Sequence, residues 1–205
     1  SFTNMTAFSS VGISRPFDAE RDGFVMGEGA GIMLLEEWDM AVERGATILA
    51  EILGGASTAD AHHITAPSPG GVGAITCMRL ALEEAGVEPD QVRHINAHGT
   101  STPLNDMAEA LAMAEVFGTD GPLVTSTKGI TGHALGAAGA IEAVAVVLAI
   151  RKGLVPPTAG YATADPEMPP INLVTGSPAP WEPGISMSNS FGFGGHNGSL
   201  VIAPA

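Results

Sequence analysis

Two histidine-containing segments, each placed directly after a strand-like apolar run, hold the residue types best suited to chemistry. His98 follows the run 92–96, and Lys128 and His133 follow the run 123–127. In α/β proteins, the loops at the carboxyl ends of strands carry many of the binding and catalytic groups. Neutral imidazoles donate hydrogen bonds and an ammonium group adds fixed positive charge, so these side chains suit the stabilisation of an anionic intermediate. The alternative is that both histidines only satisfy buried loop backbone.

The elements around these segments alternate between strand and helix. Apolar runs predict strands over residues 32–35, 48–53, 92–96, 123–127, 185–190 and 199–202. Helical spacing predicts helices over residues 36–44, 72–85, 103–117 and 133–151, and glycines 45, 86 and 118 mark helix ends. Residues 156–183 contain eight prolines and are predicted to form a loop. This alternation predicts an α/β layered domain.

Residue spacing also predicts which parts of these elements pack in the core. In the helix over residues 103–117, the core face is expected to consist of four residues: Met107, Leu111, Ala114 and Phe117. The single cysteine, Cys77, lies inside the helix over residues 72–85 and is interpreted as a packing residue, because apolar surroundings do not activate a thiol. Four glycines between positions 23 and 31 predict a tight loop in which backbone approaches backbone.

Composition and charge exclude several classes of function. The 205 residues include 22 Asp and Glu but 8 Lys and Arg, and the net charge of -14 argues against nucleic acid or an anionic membrane as partner. The longest apolar run, residues 134–150, contains Glu142 and is interpreted as a core helix. Because no targeting segment opens the chain and a single cysteine fits a reducing compartment, a cytoplasmic location is expected. Adjacent His62 and His63 have no Cys or carboxylate at ligand spacing, so no metal site is expected.

Taken together, four motifs resemble the β-ketoacyl-acyl-carrier-protein synthases, and most closely the type II, elongating condensing enzymes. The motifs are His98-Gly99-Thr100, Lys128 to His133, Asn189-Ser190-Phe191-Gly192-Phe193-Gly194-Gly195, and Arg15-Pro16-Phe17-Asp18 with Arg21-Asp22-Gly23-Phe24. The resemblance covers essentially all 205 residues. It implies an α/β, thiolase-like layered fold, in which two related halves stack sheets between helix layers. Residues 1–44 would end the amino-terminal half, and residues 45–205 would form the carboxyl-terminal half.

The resemblance also implies a reaction, the decarboxylating Claisen condensation of an acyl thioester with malonyl-acyl-carrier protein in fatty acid elongation. His98 and His133 would donate to the malonyl thioester oxygen, and one such preorganised donor is worth about 3 kcal/mol of barrier. Lys128 would supply positive charge, supported by Glu142, because a buried lysine without a partner tends to lose its charge. The backbone N–H of Phe193 would complete an oxyanion hole. Nothing in the chain matches the nucleophilic cysteine motif, so this acyltransferase chain is expected to be inactive alone.

Further residues would bind the substrate. By the same resemblance, Thr65, Thr100 and Thr102 would hold the pantetheine arm, although turn and cap chemistry is an alternative for all three. Phe191 and Gly192 would shape the acyl pocket, with hairpin packing as the alternative. The implied partners are the acyl carrier protein and a second copy in a homodimer. No cofactor is implied apart from the phosphopantetheine that the substrate carries.

Two other classes of protein compete with this interpretation, and two parts of the chain depart from the family pattern. A non-catalytic partner subunit like the chain-length factors would lack the nucleophile, but such subunits usually lose the His and Lys set as well. A coenzyme A-dependent thiolase would need a catalytic cysteine near the carboxyl terminus, where this chain has none. His196 stands where many relatives have Thr, and residues 9–13 replace a longer charged loop. These departures concern pocket shape and carrier contacts.

Overall fold

The chain folds into a mixed sheet flanked by helices. In this computed structural model, which describes residues 2–205, the helices are α1 (Trp38–Glu43), α2 (Val72–Ala85), α3 (Pro103–Phe117), α4 (Lys128–Thr131) and α5 (Ala138–Lys152). The strands are β1 (Glu51–Ala59), β2 (Val92–Asn96), β3 (Leu123–Thr125), β4 (Leu154–Val155), β5 (Ala179–Pro180), β6 (Ile185–Gly192) and β7 (His196–Ala203). None of the helices among these residues has the length and apolar character needed to cross a bilayer.

The topology of the main sheet brings three strand ends together. Its strand order is β1-β7-β6-β2-β3, and β2 runs parallel to both of its neighbours. β6 and β7 form an antiparallel hairpin, and β1 pairs with β7 in the same antiparallel sense. Because β2, β3 and β6 are parallel, their carboxyl ends lie at one edge, where α/β sheets place their sites.

Helices cover both faces of this sheet, as the alternation of elements predicts. Side chains of α2 and α3, including Met78 and Met113, pack on Val201 and its neighbours on one face. On the other face, Val146 of α5 packs against Ile202. Val201 and Ile202 are consecutive in β7, so their side chains point to opposite faces of the sheet. The layered α/β prediction is confirmed.

One predicted strand does not form, and several predicted element boundaries are wrong. Residues 32–35 form no strand, and Ile32 is 91% exposed, because no described strand lies beside them to complete a ladder. The strand predicted to end at residue 53 continues through Gly54, where a side chain would come within 2.7 Å of the backbone of Ala85 in α2. The helix predicted from residue 133 begins at Ala138, after a bend with positive φ at Leu135.

The core face predicted for α3 is correct only in part, because Phe117 packs against the core but the fully buried residues lie elsewhere on the helix. Leu111 is 39% exposed, whereas Asp106, Glu109, Ala110 and Met113 are buried. These four residues follow helical spacing, so the helix is amphipathic but has carboxylates on its inner face. Burial raises the pKa of Asp106, and its carboxylate accepts hydrogen bonds from the backbone N–H groups of Phe17 and Ser101. The inward carboxylate of Asp106 therefore accepts hydrogen bonds from the backbone of neighbouring loops.

Two local packing predictions are confirmed. In the loop over residues 23–31, a Cβ at Gly27 would lie 2.0 Å from the carbonyl oxygen of Thr131, and a Cβ at Gly31 would lie 2.7 Å from the backbone of Ala140. Only glycine permits such close approach of backbone to backbone. Cys77 is fully buried in the middle of α2, and its thiol donates to the carbonyl oxygen of Ala56 at 3.4 Å.

A buried histidine makes the stability of the fold depend on pH. His94 of β2 is 1% exposed, packs edge-on against Trp181 at 5.5 Å, and has no hydrogen-bond partner on either ring nitrogen within residues 2–205. Burial lowers the pKa of His94 to about 4. Because an unfolded histidine titrates near pH 6.5, the unfolded chain binds more protons, and stability falls as pH decreases through this window.

We expect His94 alone to lower the free energy of unfolding by about 2 kcal/mol between pH 7.5 and pH 5. The variant His94→Leu fills the buried site with an apolar side chain that does not titrate. Its free energy of unfolding should therefore lack this part of the pH dependence. Chemical denaturation of both proteins at the two pH values gives the change in the free energy of unfolding for each. Titratable groups that both proteins share contribute equally, so the difference between the two changes is due to His94. Equal pH dependence in the two proteins would contradict the assignment.

Candidate active site

A cavity of about 630 Å³ opens at the carboxyl ends of β2 and β6. Eight of the ten residues singled out in the sequence line it: His98, His133, Phe191, Gly192, Phe193, Thr65, Thr100 and Thr102. The other two, Lys128 and Glu142, do not line the cavity and are buried within the protein. The spacing of motifs after strands thus brings both imidazoles to one cavity.

His98 is held by a carboxylate that the sequence analysis did not identify. The backbone N–H groups of His98 and Gly99 each donate to Glu109 of α3 at 2.7 Å. Gly99 has a φ of 36° and lies so close to Ser126 that a Cβ would come within 2.6 Å of its side chain. The loop after β2 is therefore fixed between α3 and the segment after β3. The sequence signal for Glu109 was its position three residues after Asp106 on one helix face.

Removing the Glu109 carboxylate should destabilise the fold. Burial raises the pKa of Glu109 to about 7, while the two backbone N–H groups oppose that shift. Glu109→Ala leaves two buried N–H groups unpaired, at about 1–3 kcal/mol each. We expect a loss of at least about 2 kcal/mol in the free energy of unfolding, measured by chemical denaturation.

The matched control for this prediction is Glu115→Ala on the same helix. Glu115 pairs with Arg79 on the surface, where both side chains are more than half exposed. Exposed pairs contribute about 0–1 kcal/mol, so this variant should stay close to the parent protein. A Glu109→Ala variant as stable as Glu115→Ala would show that Glu109 does not hold the loop.

His133 is fixed by backbone groups on both sides. Its N–H donates to the carbonyl oxygen of Val25 at 2.7 Å, and its carbonyl oxygen accepts from the N–H of Gly27 at 3.0 Å. Its Nδ1 accepts from the N–H of Leu135 at 3.1 Å, so the ring proton resides on Nε2. Phe24 packs edge-on against the ring at 5.3 Å. Nε2–H is therefore the hydrogen-bond donor that His133 offers to the cavity.

The two imidazoles form a neutral pair. Their ring centroids lie 5.3 Å apart with an interplanar angle of 84°. Burial, followed by the charge of Lys128, lowers the pKa of His133 to about 4. Burial, Lys128 and then His133 hold the pKa of His98 well below its usual range. At neutral pH both rings are uncharged, and each keeps one N–H group that can donate a hydrogen bond.

Lys128 lies at the start of α4 and forms a buried ion pair with Glu142 of α5. Both side chains are at most 2% exposed. Burial raises the pKa of Glu142, and Lys128 opposes that effect. The second carboxylate oxygen of Glu142 has no hydrogen-bond partner within the described residues. The position of α4 is fixed by Ser14, whose hydroxyl donates to the carbonyl oxygen of Lys128 at 2.7 Å.

The three threonines predicted to bind the pantetheine arm line the cavity and also take part in local hydrogen bonds. The hydroxyls of Thr100 and Thr102 lie 2.9 Å apart, and that of Thr102 accepts from the N–H of Asn105 as the cap of α3. Thr65 lies beside His63, whose Nδ1 accepts from the Thr65 N–H at 3.2 Å. Turn and cap chemistry therefore accounts for part of what these residues do.

The turn between β6 and β7 is tied to the loop after β1. The N–H of Gly194 donates to the carbonyl oxygen of Ile64, and the N–H of Asp60 donates to that of Gly195, both at 2.8 Å. Asp60 leaves no space for a Cβ at Gly195, which has a φ of 75°. Phe193, at the first position of this turn, is 39% exposed, and its ring lies 6.0 Å from that of Phe2. Asp60 is a second structural residue that the sequence analysis did not single out.

Comparison with known proteins gives consistent results. The family domain "Beta-ketoacyl synthase, C-terminal domain" matches residues 49–162, and "Beta-ketoacyl synthase, N-terminal domain" matches residues 1–41. The 3-oxoacyl-(acyl-carrier-protein) synthase II, chloroplastic, of Arabidopsis thaliana is 52% identical over 93% of this chain and 36% of its own length. The 3-oxoacyl-(acyl-carrier-protein) synthase 2 of Synechocystis sp. is 51% identical over 92% of this chain and 46% of its own length.

Solved structures agree with these relatives. The ishigamide ketosynthase/chain length factor has a TM-score of 0.94 and 39% identity, covering all of this chain and 50% of its own. A type II PKS acyl-carrier protein in complex with its ketosynthase bound to the hexaketide gives a TM-score of 0.95 and 37% identity, covering all of this chain and 52% of its own.

The layered sheet, the cavity at its strand ends and these structural matches define a protein of the thiolase-like α/β class. Within that class, the chain belongs to the β-ketoacyl synthase family, because the carboxyl-terminal domain of that family matches more than half of its residues. The chain spans 36% to 46% of the length of the two relatives described above.

Proposed function

We propose that this chain supplies the malonyl-activating part of an elongating β-ketoacyl-acyl-carrier-protein synthase. In this reaction an acyl group on a cysteine thiol is attacked by the enolate that remains when malonyl-carrier loses carbon dioxide. The observation that carries the proposal is the pair of neutral imidazoles, 5.3 Å apart at the wall of one cavity. Neutral donors suit a thioester oxygen that becomes negative during the reaction.

Each residue has one role in this scheme. His98 and His133 donate to the thioester oxygen of the malonyl group, and the buried charge of Lys128 stabilises the same developing negative charge. The C–C bond to the carboxylate breaks, carbon dioxide leaves, and the electron pair of that bond forms the enolate. The enolate attacks the acyl thioester carbonyl, and the C–S bond to the cysteine then breaks and releases the cysteine as a thiolate. The backbone N–H of Phe193 would stabilise that carbonyl oxygen. No cofactor takes part, because the pantetheine arm of the carrier delivers the substrate.

The proposal includes the partners and the location. The acyl carrier protein is the expected substrate donor, supported by the names of both relatives and by the ketosynthase solved with its carrier protein. Residues 1–44 would complete the amino-terminal half, and residues 45–205 would form the carboxyl-terminal half of each copy in a homodimer. A cytoplasmic location is supported by the single cysteine, which fits a reducing compartment.

A non-catalytic subunit like the chain-length factors is the second candidate. It is favoured by the structural match to a ketosynthase/chain length factor. Against it stand His98, His133 and Lys128, which are all present and are held by Glu109, Leu135 and Glu142 as described above. A subunit without catalysis has no need for two neutral donors beside a buried lysine.

The proposed function is tested by the activity of the 205 residues alone and in combination. Alone they should form no β-ketoacyl product from malonyl- and acyl-carrier, because Cys77 is buried in α2 and cannot accept an acyl group. Product should appear when the amino-terminal family domain is co-expressed. If the 205 residues alone gave product and the Cys77→Ser variant did not, the placement of the nucleophile would be overturned. If no product formed even with the amino-terminal domain co-expressed, the proposed reaction would be overturned.

A further inference from the structure

The side chain of Ser126 joins the loop that carries His98 to the helix that carries Lys128. Ser126 is fully buried and lies between β3 and α4. Its hydroxyl donates to the carbonyl oxygen of Gly99 at 2.8 Å and accepts from the backbone N–H of Lys128 at 3.4 Å. Gly99 directly follows His98, so one buried hydroxyl connects the loop after β2 to the start of α4.

The ring of His98 depends on its backbone for its position more than the ring of His133 does. Nδ1 of His133 accepts from the N–H of Leu135, whereas Nδ1 of His98 has no hydrogen-bond partner in the described part of the chain. Glu109 holds the N–H groups of the His98 loop, and Ser126 holds the carbonyl group of the residue that follows His98. The orientation of the peptide groups beside His98 therefore sets the direction of its ring.

Ser126 is itself held by the proline-rich loop, which has no role in the scheme above. The backbone N–H of Ser126 donates to the hydroxyl of Thr158 at 3.0 Å, and Thr158 is buried. The N–H of Thr158 donates to the carbonyl oxygen of Val174 at 2.7 Å. A Cβ at Gly129 of α4 would lie 2.2 Å from the carbonyl oxygen of Ala159, so backbone packs on backbone there. The loop therefore fixes both Ser126 and the first turn of α4.

We propose that Ser126 is a positioning residue for decarboxylation and acts through His98, and that Thr158 of the proline-rich loop keeps Ser126 in place. This inference rests on the proposed function, in which His98 donates to the malonyl thioester oxygen. The Ser126 hydroxyl sets the direction in which the His98 imidazole points. A misplacement of roughly 1 Å can slow an enzyme reaction by about a hundredfold, so one buried hydrogen bond at this point is sufficient to change turnover.

Ser126→Ala is expected to lower kcat for carbon dioxide release from malonyl-carrier about tenfold in the full-length protein. The KM for malonyl-carrier and the rate of acyl transfer to the cysteine should not change, because Ser126 does not line the cavity. The matched control is Ser186→Ala. Ser186 is also fully buried, and its hydroxyl donates to the carbonyl oxygen of Gly184 at the amino end of β6. An unchanged kcat in Ser126→Ala, or an equal loss in both variants, would overturn the proposal.

A double-mutant cycle tests whether Ser126 acts through His98. If it does, adding Ser126→Ala to His98→Ala should slow carbon dioxide release little further, because no imidazole remains to be misplaced. Losses that multiply independently would contradict the proposed role of Ser126. If His98→Ala alone left carbon dioxide release unchanged, the proposed function would fail, and the role of Ser126 would be decided by a measurement that needs no turnover.

The NMR signals of labelled histidine rings provide that measurement. In Ser126→Ala, the ring signals of His98 should shift, whereas those of His94, which is buried at the other end of β2, should stay the same. Unshifted His98 signals would show that Ser126 does not position the imidazole, whatever reaction the protein performs.

Two substitutions of Thr158 test the proline-rich loop with Ser126 intact. Thr158→Val keeps the shape of the side chain but removes the hydroxyl that accepts from the Ser126 N–H. It should lower kcat and shift the His98 signals in the same direction as Ser126→Ala does. Thr158→Ser keeps the hydroxyl and should retain the kcat and the signals of the parent protein. If the two variants behaved alike, the role of Thr158 in the proposal would be overturned.

Discussion

His98→Ala and His133→Ala are each expected to slow carbon dioxide release from malonyl-carrier by about 10²- to 10³-fold in the full-length protein. The His133 ring is fixed before the substrate arrives by the N–H of Leu135, and the backbone that carries His98 is fixed by Glu109. A preorganised donor needs no rearrangement when charge develops on the thioester oxygen, which explains the size of the expected loss. Acyl transfer to the cysteine should largely survive, because in the proposed function both imidazoles donate to the malonyl group.

The two half-reactions must be measured separately to test this expectation. Carbon dioxide release reports the malonyl side, and acylation of the protein by acyl-carrier reports the other side. His62→Ala, an exposed histidine on the loop after β1, is the control for a loss of imidazole without a catalytic role. Equal losses in both half-reactions would show that the two histidines support the structure of the site and do not act on the malonyl group.

Lys128→Ala is expected to reduce both turnover and stability. The substitution leaves the carboxylate of Glu142 buried without its partner, and breaking a buried ion pair in this way costs about 3–5 kcal/mol. It also removes the positive charge that acts on both imidazoles. Turnover should therefore fall well beyond what partial unfolding explains.

The double variant Lys128→Met, Glu142→Leu separates the two effects of Lys128. Apolar replacement of both partners of a buried pair is often neutral or stabilising, so the free energy of unfolding should recover. Turnover should not recover, because the charge is still missing. Turnover of Lys128→Ala within a factor of two of the parent would show that Lys128 is structural. Turnover of the double variant near the parent level would contradict an electrostatic role.

The sequence predicted which residues meet at the cavity better than it predicted the residues that hold them in place. His98 and His133 could be placed at one cavity because polar motifs directly after parallel strands end at the same edge of a sheet. Glu109 could not be found in this way. Helical periodicity assigns carboxylates to the solvent face, whereas here two backbone N–H groups draw the Glu109 carboxylate into the core.

Other failures have a similar origin in tertiary contacts. Residues 32–35 have the composition of a strand, but a strand forms only beside a partner, and none of the described strands lies next to them. Gly54 looked like the end of a strand because glycine weakens strands, yet it allows α2 to approach β1. In both cases the local sequence pattern favours one structure, but a contact with a neighbouring element, or the lack of one, determines the structure that forms.

The backbone bonds of His133 join the two family domains at the site itself. Its N–H and C=O pair with Val25 and Gly27, which lie in the part of the chain matched by the amino-terminal domain, whereas His98 is held by Glu109 in the carboxyl-terminal domain. The distance between the two imidazoles is thus set across a seam between domains. Gene exchange that replaced one domain without the other would shift one donor relative to its companion. Under the proposed function, selection on turnover would therefore act on both domains together.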